Sequence, residues 1–209
     1  MDDKAILNDL RDITKNRDDW KANIRHVAGY LDDDYSVDVK AKALWILGEM
    51  GLKYPGEIEA YVDGIAQYFG DENPKLRERS VNAIGRIGRA DANLVRNHID
   101  MLMEMRHDES ENVRHAFVWA CENIATTSPE IFCEMLEIFY DIISDSSDKV
   151  RIEAPEMFRV IGKQNPECVK PYLGKLEFIS QNDENRIVRI HSAGAVRITK
   201  KSIRKELKH

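Results

Sequence analysis

A spacing of 37 residues runs along this chain and sets most of what it can become. Val39, Leu76, Val113 and Val150 stand 37 positions apart, and the next apolar anchor, Val188, follows after 38. A cation succeeds each anchor, at Lys40, Arg77, Arg114, Arg151 and Arg189. An aspartate stands six residues before each cation, at Asp34, Asp71, Asp108, Asp145 and Asp183. A fixed period of roughly 20–50 residues marks repeats that cannot bury their apolar faces alone and stack to do so, as a solenoid.

Within each period the apolar residues follow helical spacing. Residues 3–15 read as a helix with Ile6, Leu10 and Ile13 at i, i+4 and i+7, and they align with Ala43, Leu47 and Met50 one period later. This opening helix is therefore the second half of a repeat, an atypical terminal unit. Five helix pairs follow. Their first members are expected at 18–31, 56–69, 93–106, 129–143 and 166–180, and their second members at 37–51, 74–88, 111–125, 148–162 and 185–207. Pro55, Pro129 and Pro166 fall near helix starts, where a missing N–H costs little. Pro171 is expected to kink the last first-member helix, and Pro155 to interrupt the second helix over 148–162. No alternating strand pattern or hairpin turn occurs. The chain reads as one domain, 1–209, with an N-terminal cap over 1–17, repeats over 18–185 and a basic capping helix over 186–209.

Counting each second helix from its anchor as position 0, positions 0, 4, 5, 7, 8 and 11 are mostly apolar and cluster on one side. The cation at position 1 flanks that side and is expected half-buried between neighbouring repeats. A buried charge requires a partner. The aspartates at minus six supply one, so a ladder of Asp–Arg pairs is expected, each Asp also able to accept backbone N–H groups at the helix start. That role is structural.

The 33% charged fraction and 8% aromatic content suit a thin helical protein with much exposed surface. The net charge of −6 argues against a surface built throughout for nucleic acid. Residues 186–209 hold eight Lys/Arg against one acid, a net of +7, which leaves −13 on residues 1–185. Cys121, Cys133 and Cys168 are an odd number without metal-ligand spacing, and reduced thiols in an intracellular protein are the expectation. No signal peptide and no membrane-length apolar run is visible, so cytoplasm is the expected location.

The helix pairs, the period, the Asp-to-Arg spacing and the segment Val39-Lys40-Ala41-Lys42-Ala43-Leu44-Trp45-Ile46-Leu47-Gly48-Glu49 resemble HEAT repeats of the short microbial type, over about residues 19–200. The departures are Pro155 and the lysine at position 40. The resemblance implies an all-α, right-handed α-solenoid of about five helix pairs after a half repeat. It also implies that the second helices line the concave side of a scaffold that binds other proteins. Fold alone licenses no particular activity.

Position 6 lies opposite the apolar side and holds Asn8, Trp45, Asn82, Trp119, Glu156 and Gly194. Large aromatics in an exposed register tend to mark contacts. Glu49, Arg86, Asn123 and Arg159 share this side, so Trp45, Glu49, Asn82, Arg86, Trp119, Asn123, Glu156 and Arg159 form the candidate partner-binding set, for a protein or peptide segment. The bland alternative is that each tryptophan lies flat against the neighbouring helix. A family of HEAT-like alkylated-base DNA glycosylases is also similar in length and build, and Trp45 with Glu49 is the pairing that invites the comparison. Two repeats separate Trp45 from Trp119, about 18 Å at the usual helix spacing. That gap is too wide to clamp one base, which needs ring centroids within about 7 Å.

Arg197, Lys200, Lys201, Arg204, Lys205 and Lys208 make a basic helix end. Cations suit a helix C-terminus, and an anionic partner is the functional alternative. No histidine pair, Walker sequence or other close ligand spacing suggests a metal, a cofactor or a catalytic centre. Cys121 sits on apolar position 8 and reads as core. The sequence therefore points to a non-enzymatic scaffold.

Overall fold

The computed structural model describes residues 2–32 and 34–206; Lys208 and the end of the basic segment lie outside the described residues. The chain is an α-solenoid, with no strand among the described residues. It divides into two compact units, Met1–Ala120 and Cys121–His209.

The first unit opens with α1 (Asp3–Lys15), capped by the Asp2 carboxylate, which accepts the Lys4 N–H at 3.3 Å. Next come α2 (Trp20–Ala28) and the second helix α3 (Val37–Lys53), capped by Ser36. The following pair comprises α4 (Pro55–Ile58), α5 (Val62–Ala66) and the second helix α6 (Pro74–Ala90). Pro74 sits in the first turn of α6, and the Asn73 side chain accepts the Lys75 N–H at 3.0 Å. Then α7 (Ile99–Glu104) leads to α8 (Glu111–Ala125), which carries the boundary between the units. Val39, Leu44, Leu47, Ile84, Ile87, Val95, Leu102 and Phe117 are fully buried and make this unit's core.

Adjacent second helices in this unit approach very closely. A Cβ placed on Gly48 would lie 2.8 Å from Ala83 Cα, and one on Gly85 would lie 2.6 Å from Ala120 Cα. Both glycines occupy position 9 of their helices. Glycine is required there by the neighbouring backbone, since both residues have ordinary helical geometry.

The second unit contains α9 (Leu136–Ile142), α10 (Asp148–Gln164), α11 (Pro166–Val169), α12 (Leu173–Asn182) and α13 (Arg186–Glu206). Its core gathers Phe132, Phe139, Phe158, Ile161, Leu176 and Val188. The Phe132 and Phe139 rings meet edge-on at 6.0 Å.

Three expectations change. Pro155 does not interrupt its helix: α10 runs unbroken from Asp148 to Gln164 with Pro155 buried inside it. A proline removes one ladder bond and crowds the preceding turn, and here the buried ring packs within a long helix whose other bonds persist. The first members are not continuous helices. Short α segments alternate with tighter 3-10 helical stretches at 59–61, 67–70, 92–98, 105–107 and 129–135. Apolar residues three apart share a face in either kind of turn, so periodicity does not separate the two. Pro171 does mark a break, in the tight turn Lys170–Tyr172 between α11 and α12.

The third change concerns cysteine. Cys133 and Cys168 form a disulfide, with Cα atoms 5.4 Å apart, so they are not the reduced thiols expected from their number. Their sequence separation of 35 is close to one repeat, which brings equivalent sites on successive first members side by side. Cys121 is a free, fully buried thiol whose pKa burial pushes well up.

Candidate functional site

The ladder residues set the register of everything displayed on the second helices. Asp71, Asp108, Asp145 and Asp183 each accept the N–H two residues on at 2.8 Å, folding the link into the following helix. Arg77 then bridges two repeats. Its Nη1 donates to the carbonyls of Asp71 and Glu72, at 2.8 and 3.1 Å, in its own link. Its Nε and Nη2 grip the Asp108 carboxylate of the next link at 2.6 and 2.9 Å. Arg151 likewise holds both Asp183 oxygens through Nη2, at 2.9 and 3.0 Å, and reaches Glu184 at 3.0 Å through Nη1. Arg114 donates to the carbonyls of Asp108 and Glu109. Arg77 and Arg151 thus meet backbone in their own repeat and a carboxylate in the following one. Lys40 cannot fork in this way, and its ammonium lies 5.8 Å from the Tyr68 ring centroid; Asp34 is exposed.

On the outward side of the first unit, both position-6 tryptophans are half-buried. The Lys42 ammonium stands 4.1 Å from the Trp45 ring centroid, and the Arg86 guanidinium 4.6 Å from that of Trp119. Arg86 also forms an ion pair with Glu49 and donates to the Asn82 carbonyl at 3.3 Å. Glu49, Asn82, Arg86 and Trp119 are therefore one connected group. Trp45 belongs to a shallow pocket of about 290 Å³ lined by Asp38, Ala41, Lys42, Trp45, Lys75 and Arg79. Asp38 is paired with Lys75 at 2.6 Å. Burial, together with the positive charges of Arg11 and Arg79, holds the Lys42 pKa below its usual value. The pocket consequently presents positive charge beside an indole.

In the second unit the side chains on this face are mainly acidic. Glu122 and Glu153 share a hydrogen bond, with Glu156 nearby, and Arg159 donates to Glu156 while its Nη2 lies 3.8 Å from Glu122. His191 Nδ1 is 2.9 Å from the Ile152 carbonyl and 3.4 Å from Glu156. Burial, then the charge and hydrogen bond of Glu153 and the charge of Glu156, push the Glu122 pKa up to about 7 against the pull of Arg159. Asn123, in the candidate binding set, is buried at 6% exposure, although it shares position 10 with the less deeply buried Glu49 and Arg86. Arg197, Lys200, Lys201, Arg204 and Lys205 are exposed on α13, and Lys200 pairs with Glu177.

Lys42, Arg79 and Glu122 were not singled out by sequence reasoning, although signals existed. Lys42 and Arg79 share position 3 in consecutive repeats. Glu122 occupies position 9, where the two preceding second helices have Gly48 and Gly85. Among the described residues no group of three or more His, Cys, Asp or Glu could hold a metal ion. No described helix is long and apolar enough to cross a membrane.

A family model described as HEAT repeats matches residues 62–156. No curated protein matches the chain. Among solved structures, an engineered protein from a structural genomics consortium superposes with a TM-score of 0.70 at 14% identity, over 92% of this chain and 85% of that one. A designed armadillo repeat protein in complex with the peptide (KR)4 gives a TM-score of 0.68 at 20% identity, over 95% and 94%. Computationally designed armadillo repeat proteins for modular peptide recognition give 0.64 at 19%, over 94% of each chain. At these identities the likeness is one of fold.

Proposed function

Starting from a chain that is a HEAT-repeat α-solenoid, we propose that it is a non-enzymatic protein-binding module, and that its second-helix face in residues 1–120 receives a segment of a partner protein. The observation carrying this reading is the pocket beside Trp45, where Lys42 and Arg79 have no carboxylate partner among the described residues, in a chain of net charge −6. An acidic side chain of the partner enters that pocket. Trp45 supplies apolar area, and the Glu49–Arg86–Trp119 group, with Asn82, fixes the segment along the face. Glu156 and Arg159 offer a further polar surface in the second unit. The structural likeness to designed peptide-binding armadillo proteins is compatible with such a use of the fold. The alkylated-base alternative is not favoured, because Glu49 is already held by Arg86 and the Trp45 ring is already covered by Lys42.

An array of acidic, basic and neutral peptides tests the reading. Acidic peptides are expected to be retained by the native chain and lost with Lys42→Gln/Arg79→Gln or with Trp45→Ala. Equal retention of all three classes, or binding indifferent to these substitutions, would overturn it.

A further inference from the structure

Each bridging arginine has two working edges, and in one repeat only one of them is occupied. Arg77 uses Nη1 for the carbonyls of its own link and Nε with Nη2 for the next link's carboxylate. Arg151 finds its carboxylates in the Asp183-Glu184 pair that precedes α13. Arg77 meets the equivalent pair, Asp108-Glu109, with Glu109 3.7 Å away. Arg189 repeats the inward half alone: Nη1 donates to the carbonyls of Asp183 and Glu184. Among the described residues no carboxylate meets its other edge.

The surface beside that edge is uncovered in the same register. In α3 and α6, position 5 is fully buried (Leu44, Val81) and position 9 (Gly48, Gly85) meets an alanine of the next second helix. On α13 these positions are Ala193 and Arg197, both exposed. Ile190, at position 2, is 54% exposed, and Ile187 44%. Two exposed isoleucines one turn apart, beside exposed cations, are the expected mark of a contact surface. Farther along the helix, Arg197, Lys201, Arg204 and Lys205 are exposed cations without a carboxylate partner among the described residues.

We propose that this side of α13 is a docking site for an acidic amphipathic helix of another protein, one that carries an Asp-Glu pair at its start. The carboxylate pair closes the open edge of Arg189 as Asp183-Glu184 closes that of Arg151. Apolar residues of the incoming helix cover Ile187 and Ile190, and acids along its flank face Arg197, Lys201 and Arg204. Charge complementarity selects the occupant: a basic or neutral helix would leave the guanidinium unpaired under a covered apolar surface. The proposal is independent of the reading for residues 1–120.

The test uses the full chain and a labelled synthetic helix of about twenty residues, long enough to hold helical structure. It begins Asp-Glu and carries leucines on one side and glutamates on the other. Fluorescence anisotropy is expected to report binding that weakens with salt, falls at least tenfold when Asp-Glu becomes Asn-Gln, and falls similarly in Arg189→Lys, which keeps charge but loses the fork. Ile190→Glu, a surface change that leaves the fold intact, should also abolish it. Three results would overturn the proposal: equal affinity for the Asn-Gln peptide, no binding, or single-stranded DNA displacing the peptide at lower concentration. Concentration-dependent self-association that Ile190→Glu abolishes would assign the surface to a second copy instead, and would overturn it too.

Discussion

The guanidinium of Arg77 belongs to one repeat and the carboxylate that grips it, Asp108, to the next, the two side chains being 10% and 7% exposed. Six residues separate Arg77 from its own Asp71, yet that aspartate offers it a backbone carbonyl, while its carboxylate turns to the Asn73 N–H. The pair therefore joins neighbouring repeats as well as shaping one link.

Removing one partner should be costly. Asp108→Ala leaves a buried guanidinium uncompensated and is expected to lower stability by about 3–5 kcal/mol. A joint Arg77→Met/Asp108→Leu replacement should lose much less. Denaturant melts of the two variants and the native chain check this, and equal losses for the single and joint changes would refute it. Burial pushes the Asp108 carboxyl up, but Arg77, the Ser110 N–H and Arg114 outweigh it and hold the pKa below the usual range. Its contribution is thus present above the unfolded carboxyl value and is lost as pH falls through the depressed folded one.

Glu122 should behave in the opposite sense. Its folded pKa of about 7 exceeds the ordinary carboxyl value, so between the two the folded state keeps a proton that the unfolded state releases. Its effect is a stability that declines as pH rises from about 4.3 toward 7. Glu122→Gln should flatten that slope and raise stability at pH 8, by on the order of 1 kcal/mol after solvent screening. A pH series of thermal melts reads both. An unchanged slope would assign the pH dependence elsewhere.

Gly85→Ala sets two effects against each other. Alanine favours a helix interior over glycine by about 1 kcal/mol. A Cβ at Gly85, however, would lie 2.6 Å from Ala120 Cα and 2.7 Å from its Cβ, so α6 and α8 must separate. Overpacking of this kind costs about 1–3 kcal/mol, and net destabilisation is expected. Gly64, with nothing within 4 Å of an added Cβ, is the control and should tolerate alanine. Hydrogen exchange in α6 and α8 measures the difference.

Reduction of the Cys133–Cys168 bond, or a Cys133→Ser/Cys168→Ser chain, should destabilise the second unit. For a loop of this length, 35 residues, the chain-entropy estimate is roughly 3–4 kcal/mol. Repeat arrays can unfold in parts, so the loss should appear in residues 121–209 by hydrogen exchange. Uniform loss along the chain would contradict it.

The second helices were legible because their anchors, cations and link aspartates recur at one period, and their ends fall within two residues of the positions read from sequence. The direction of the Arg77 rung was not legible: the six-residue spacing pointed to Asp71, whereas the carboxylate that grips Arg77 is that of Asp108 in the next link. Geometry chooses between them. The tight turns of the first members were hidden because Val95, Ile99 and Leu102 keep a common side under either helical geometry. Pro155 misled because its helix-breaking tendency is a local preference, overridden where Ala154, Met157 and Phe158 are buried around it. For the candidate site, the tryptophan register could be read directly. The cations over the rings could not, since Lys42 reaches Trp45 within one helix while Arg86 reaches Trp119 from the preceding one.

The bond between Cys133 and Cys168 also bears on how Cys121–His209 would respond to being pulled. Tension applied at its two ends would pass through the sulfur clasp, and the 35-residue stretch behind it would carry no load until the clasp was cut. The extensible length of this unit would then depend on the thiol chemistry of its surroundings, a dependence that Met1–Ala120, which holds no cysteine, does not share.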